Sequence, residues 1–191
     1  DITGWYVDNV MIHRTCFAPD ELVTMINQDN QIELFWSSAT CGNYPFPLSH
    51  ITYGLFTSVG TGQEVEFDVA ARWSPAMLEG VNYIYSVNFV PYESDAAYTI
   101  RIWQGDTAAL VYEQAVDDFT LEEWNNVVLD TPCPVDHNQM LWVGYHIEAN
   151  TGYPAGVDYG PAYDGWGNMM FWEGEWSTLL EVNPELDYNW N

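Results

Sequence analysis

The chain has 191 residues, of which 28 are Asp or Glu and three are Arg, with no Lys, for a formal net charge of −25. Such a surface repels nucleic acid phosphates and anionic lipid headgroups, which argues against both as partners, and it attracts cations, with Ca2+ the foremost divalent candidate for an oxygen-rich surface. At 48% hydrophobic and 16% aromatic residues the chain is too apolar to stay unfolded, and its length suffices for one good core with a small appendage.

No apolar run is long enough to span a bilayer, and no basic n-region marks a signal peptide. The start at Asp1 is expected to be a processed one, from which any export signal has already been removed. The first element is a strand over residues 5–12 (WYVDNVMI), whose apolar members Trp5, Val7, Val10 and Ile12 need burial. Residues 13–20 read as a linker. Residues 21–36 (ELVTMINQDNQIELFW) give two short strands around the turn-prone NQDN, a hairpin signal, and the Ser-, Gly- and Pro-rich stretch that follows reads as loop. Cys16 and Cys41 enclose 24 residues and form a candidate disulfide if the chain is secreted; Cys133 is then left buried or paired with another chain.

From Gln63 the pattern becomes periodic. EVEFDVAARW alternates, with Val65, Phe67 and Val69 on one face and Glu64, Glu66 and Asp68 on the other, which predicts a strand with a buried side and a solvated, acidic side. SPAMLEG predicts a short helical turn, with Ser74 as N-cap, Pro75 at the first helical position and Gly80 as the stop. Strands follow at YIYSVNFVP, AYTIRIWQG, ALVYEQAV, WNNVVLD, QMLWVGYHIEA and NMMFWEG, separated by Gly, Pro, Asp or Asn. No strand alternates with a long helix, which argues against a βαβ design and predicts an all-β, antiparallel sandwich of the jelly-roll kind. The expected division is an N-terminal strand at 1–12, donated or displaced, a linker and hairpin at 13–62, and the sandwich at 63–191.

The segments FDVAARWSP, YTIRIWQG, LVYEQAV, WNNVVLDTPCPV, LWVGYHIEANTGYPAGVDYGP, DGWGNMMFWEGEW and LDYNWN resemble the jelly-roll modules of gingipain-type cleaved adhesins, found in secreted Bacteroidetes proteins and related in fold to MAM-like domains. The resemblance covers about two thirds of the chain, from about Glu66 to Asn191. It implies a non-catalytic, extracellular module that accompanies proteases or adhesins and often holds structural calcium. In such modules the LDYNWN motif leads into a last strand. Here a strand resembling that end, GWYVDNVMI, stands at residues 4–12, which suggests either a module cut out of phase from a repeat array or a strand that completes a sheet elsewhere, by exchange with another copy or module or by closure onto its own sandwich.

Two constellations are candidate sites. Tyr153, Tyr159, Tyr163, Trp166, Trp172 and Trp176 lie on or beside glycine-rich loops, where aromatic faces can stack on sugar rings or proline-rich peptides, so that a glycan or a surface protein is a candidate partner. Asp158, Asp164 and Asp187 in turns, and Glu66 and Asp68 along one strand, are candidate Ca2+ ligands, although their spacing is not that of an EF-hand loop. The four histidines have no HExxH or GxSxG companion, so no covalent chemistry is expected. The functional expectation is a secreted or cell-surface module that assembles with copies of itself or with neighbouring modules. A carbohydrate-binding module is the alternative.

Overall fold

A computed structural model describes residues 22–26, 32–36, 48–50, 54, 57–150 and 152–191. The chain divides into two compact units, residues 1–44 and 45–191. The first contains a hairpin of β1 (Leu22–Ile26) and β2 (Ile32–Trp36), antiparallel and in register from Leu22 opposite Trp36 to Ile26 opposite Ile32. These are the two strands expected on either side of NQDN.

The second unit is antiparallel throughout. Its larger sheet has six strands in the order β12 (Glu175–Thr178), β11 (Met169–Trp172), β4 (Val65–Trp73), β9 (Leu141–Ala149), β6 (Ala97–Gln104) and β7 (Ala109–Ala115). Against it lie a ribbon of β5 (Tyr83–Phe89) with β8 (Asn125–Pro134), and a shorter pair of β3 (Thr57–Val59) with β10 (Ala155–Val157). Among the described residues an isolated bridge, Pro91 to Ala155, links ribbon and pair, and another ties Val157 to Trp190.

Period-2 alternation builds the core. Phe67 and Val69 of β4, Tyr98, Ile100 and Ile102 of β6, and Tyr145 and Ile147 of β9 all point inward. They meet Val87 and Phe89 of β5, Leu129 and Cys133 of β8, and Ala155 and Val157 of β10, so two layers close on one apolar cluster. Each such aliphatic or aromatic side chain, fully buried, is worth about 1.5–3 kcal/mol. The sequence-predicted helical turn is a 3-10 turn at Pro75–Met77 with Gly80 at φ +82°, although Ser74 makes no side-chain cap bond. No described helix is long and apolar enough to cross a membrane.

Three strands were not foreseen. β3 and β10 have three residues each, too few for a period to register, and β3 falls within the expected 13–62 linker while pairing inside the second unit. β12 runs into a helix, α1 (Leu179–Val182), closed by a capping box: Glu181 N–H donates to Thr178 Oγ1 (3.2 Å) and Thr178 N–H donates to Glu181 Oε2 (2.8 Å).

Two core tyrosines tie the layers together through their hydroxyls. Tyr98 donates to the Pro154 carbonyl (3.0 Å), Tyr145 donates to the Asn191 carbonyl (3.3 Å), and the Phe89 ring sits 5.5 Å and 5.2 Å from their centroids. Burial raises both phenols above the ordinary tyrosine value, Tyr145 the further of the two. An acid with a folded-state value raised above its unfolded value stabilises the fold fully below the unfolded value and loses that contribution as pH rises past it. The expected result is therefore a fall in the urea midpoint that begins at about pH 10, the unfolded tyrosine value. Replacing both residues by Phe should flatten this fall, and an unchanged alkaline slope in the double variant would refute the assignment.

Candidate assembly and binding surfaces

The outer face of the six-stranded sheet is not the open, solvated surface that the alternation predicted. Trp103, Trp142, Ala70 and Met169 form a second apolar cluster there, joined by Trp176. The Trp176 ring lies 5.4 Å from Trp103, 5.0 Å from Trp142 and 5.5 Å from Phe171. The Arg72 guanidinium sits over Trp142 at 4.9 Å and over Trp166 at 5.5 Å and donates to the Gly165 carbonyl.

Register brings the charged residues together on the same face. Asp68 of β4 stands opposite His146 of β9, and Gly144, two residues before His146, stands opposite Arg101 of β6. Arg101 donates to Asp68 Oδ1 (2.9 Å), and His146 Nδ1 lies 3.0 Å from the same oxygen. Glu66 and Glu148 flank His146 Nε2 at 3.4 Å and 3.7 Å. Asp68 is 6% exposed, so the expectation of a solvated carboxylate is corrected: it is the shared acceptor of a cation and a histidine. Glu64, Glu66, Asp95 and Glu148 line an open cleft of about 530 Å³ at the end of this face.

Asp158, expected as a Ca2+ ligand, is fully buried and already committed. Its Oδ1 accepts from Gly160 N–H (2.8 Å) and Asn189 N–H (2.9 Å), and its Oδ2 accepts from Asn189 Nδ2 (2.9 Å). Asp164 accepts from Asn168 Nδ2 (3.0 Å), and Asp187 accepts from Ala162 N–H (2.8 Å). These carboxylates pin loops to one another. The five expected ligands are not gathered at one point, and among the described residues no group of three or more His, Cys, Asp or Glu is placed to hold a metal ion.

The six aromatic candidates separate into two kinds. Trp172 packs against the main core, Trp176 against the outer cluster, and Trp166 against Arg72 and His50 (6.5 Å). Tyr153, Tyr159 and Tyr163 are about half exposed (53%, 59% and 49%). Tyr163 stacks on His50 at 5.0 Å, which stacks in turn on Trp73 at 5.0 Å. His50 Nε2 lies 2.9 Å from the Arg72 carbonyl, and burial lowers the basicity of the imidazole. Cys133 is buried and unpaired, its thiol pushed up by desolvation. The candidate disulfide of Cys16 and Cys41 and the strand residues Trp5, Val7, Val10 and Ile12 lie outside the described residues.

Sequence reasoning missed the strand edges, which depend on tertiary order. The outer edge of β8 is blocked by two glutamine amides acting as stand-ins for a neighbouring strand. Gln114 Nε2 donates to the Val128 carbonyl (3.2 Å) while its Oε1 accepts from Asp130 N–H (2.9 Å). Gln104 does the same to the Pro134 carbonyl (2.8 Å) and Asp136 N–H (2.8 Å). The other edge of the ribbon, along β5, has no described strand beside it.

Fold and surfaces together define an antiparallel, two-layer all-β module with one ribbon edge blocked and, among the described residues, no strand beside the other. Comparison with family models, with curated proteins and with solved structures finds no match to this chain.

Proposed function

We propose that this chain is a non-catalytic extracellular module of an adhesive or structural surface protein, and that it associates with copies of itself or with neighbouring modules by strand addition. The β5 edge supports this reading: among the described residues no strand pairs with it on the side away from β8, and a strand edge with unpaired backbone donors and acceptors templates another strand. A donor strand in one place and an acceptor edge in another make a heterologous contact, which propagates into linear arrays rather than closing as a dimer. The charge of −25 opposes the approach of copies, so assembly should strengthen as salt or Ca2+ screens it.

Light scattering over a concentration series in low and high salt is the test. The expected result is growth beyond a dimer, favoured by high salt and abolished by deleting residues 1–12. A full chain that stays monomeric at high concentration in both buffers would remove the proposal. The alternative, carbohydrate binding, is supported by the half-exposed rings of Tyr153, Tyr159 and Tyr163. It requires a monomer retained by polysaccharide and released when these tyrosines are replaced by Ala.

A further inference from the structure

We infer that the outward face of the β5–β8 ribbon is a binding platform for a neutral glycan. Tyr83 and Tyr85 stack on its sugar rings, and Ser86, Asn88 and Asn126 bond to its hydroxyls. The platform uses none of Tyr153, Tyr159 and Tyr163 and does not depend on assembly by strand addition.

A break in pairing builds this face. Plain alternation puts Tyr83 and Tyr85 on the side opposite Ser86 and Asn88. The register shift between Ile84 and Ser86 cancels that separation. Ile84, Val87 and Phe89 pack into the core, while Tyr83, Tyr85, Ser86 and Asn88 are all exposed. Bulges of this kind re-aim side chains and are over-represented next to functional sites.

The exposed groups fit one ligand chemistry. The Tyr83 and Tyr85 rings are 47% and 44% exposed, with centroids 6.0 Å apart and planes tilted by 48°. Across the ribbon Asn126 Nδ2 donates to Asn88 Oδ1 (2.7 Å) and to Ser86 Oγ (3.2 Å). These bonds orient both amides and leave the Asn126 Oδ1 acceptor, the Asn88 Nδ2 donors and the Ser86 hydroxyl proton for a ligand. Sugar hydroxyls donate and accept, so they use both kinds of group. A proline-rich peptide also stacks on such rings but brings few donors. The face is uncharged in a chain of −25: β5 has no acidic or basic residue and β8 has only Asp130. A charged ligand therefore finds no counter-ion in it.

The platform is set before a ligand arrives. The amides of Gln114 and Gln104 hold β8 at Val128 and Pro134, which stand opposite Ser86 and Tyr83. Little ordering is then left to oppose binding.

Native electrophoresis of the full chain through gels containing laminarin, galactomannan, xyloglucan or dextran is the test, with polygalacturonate as the acidic contrast. At least one neutral polysaccharide should retard the chain, and polygalacturonate should not. Replacing Tyr83 and Tyr85 together by Ala should weaken that interaction more than about tenfold, at a urea midpoint close to the parent's because both rings are exposed. If the double variant fails to fold, amide chemical shifts of the unaltered chain decide: an oligosaccharide of the retarding polymer should move the signals of Tyr83, Tyr85, Asn88 and Asn126. Shifts confined to Tyr153, Tyr159 and Tyr163 assign glycan binding to another surface and overturn the inference. Passage unretarded through all four neutral gels, equal retardation by polygalacturonate, or undiminished affinity in a folded double variant overturns it too. A chain that forms arrays yet runs free in every neutral gel loses the platform and keeps the assembly reading.

Discussion

Asp158→Ala should be among the most damaging single substitutions in this chain. The carboxylate is fully buried and accepts from Gly160 N–H, Asn189 N–H and Asn189 Nδ2. Asn189 is itself fully buried, and its Oδ1 accepts from Tyr163 N–H (2.6 Å) while its Nδ2 also donates to the Pro161 carbonyl (3.2 Å). Removing the acceptor strands three donors in a dry site, each at about 1–3 kcal/mol before relaxation. Allowing for partial collapse, the loss should be about 3–6 kcal/mol, a large part of the roughly 5–15 kcal/mol that holds a domain together. Asp158→Asn is the informative partner. It keeps an oxygen for the two backbone donors and puts an amide against Asn189 Nδ2, so it should cost less than the alanine. Urea unfolding of the two variants checks the order. An alanine variant within about 1 kcal/mol of the parent would show that these bonds do not hold the loops.

That one aspartate shows how much of the site the sequence could reveal. A turn-borne Asp among glycines fits a cation ligand as well as it fits a loop pin, because both uses need an exposed-looking oxygen on a bend. What separates them is Asn189, 31 residues further on, and no local pattern reports it. Asp68 repeats the lesson. The alternation of EVEFDVAARW places it on the face opposite Phe67 and Val69, and it does lie there. Its burial was illegible because its partners Arg101 and His146 are 33 and 78 residues away and meet it only through the strand order β4, β9, β6. The strands themselves were readable wherever seven or more residues alternate, as in β4, β6 and β9, and unreadable in β3 and β10. The T-L-L-E of the α1 capping box was in plain view at Thr178–Glu181, and its signal was masked by the aromatic residues and turns around it.

Gly144 offers the sharpest test of the central strand pair. It sits inside QMLWVGYHIEA, where a glycine weakens a strand unless something approaches closely. In the structure that something is β4: a Cβ on Gly144 would overlap the carbonyl oxygen of Val69, with the Ala70 Cα 2.7 Å away. Both contacts are backbone, held in a ladder that runs from Val65 opposite Ala149 to Trp73 opposite Leu141, so no side-chain rotation relieves them. Overpacking a well-packed site costs about 1–3 kcal/mol, and a clash with backbone on a central strand belongs at the upper end. At about 2–4 °C per kcal/mol for a chain of this size, Gly144→Ala should lower Tm by roughly 6–12 °C. Gly80→Ala is the control, since Gly80 has nothing within 4 Å of its would-be Cβ and only the strain of φ +82° to bear. That variant should lose about 1–2 kcal/mol for the left-handed backbone alone. Equal losses at the two positions would mean that β4 and β9 do not approach at Gly144 as described; a clearly larger loss at Gly144 ties the glycine to strand spacing, and with it the register that sets Asp68 against His146.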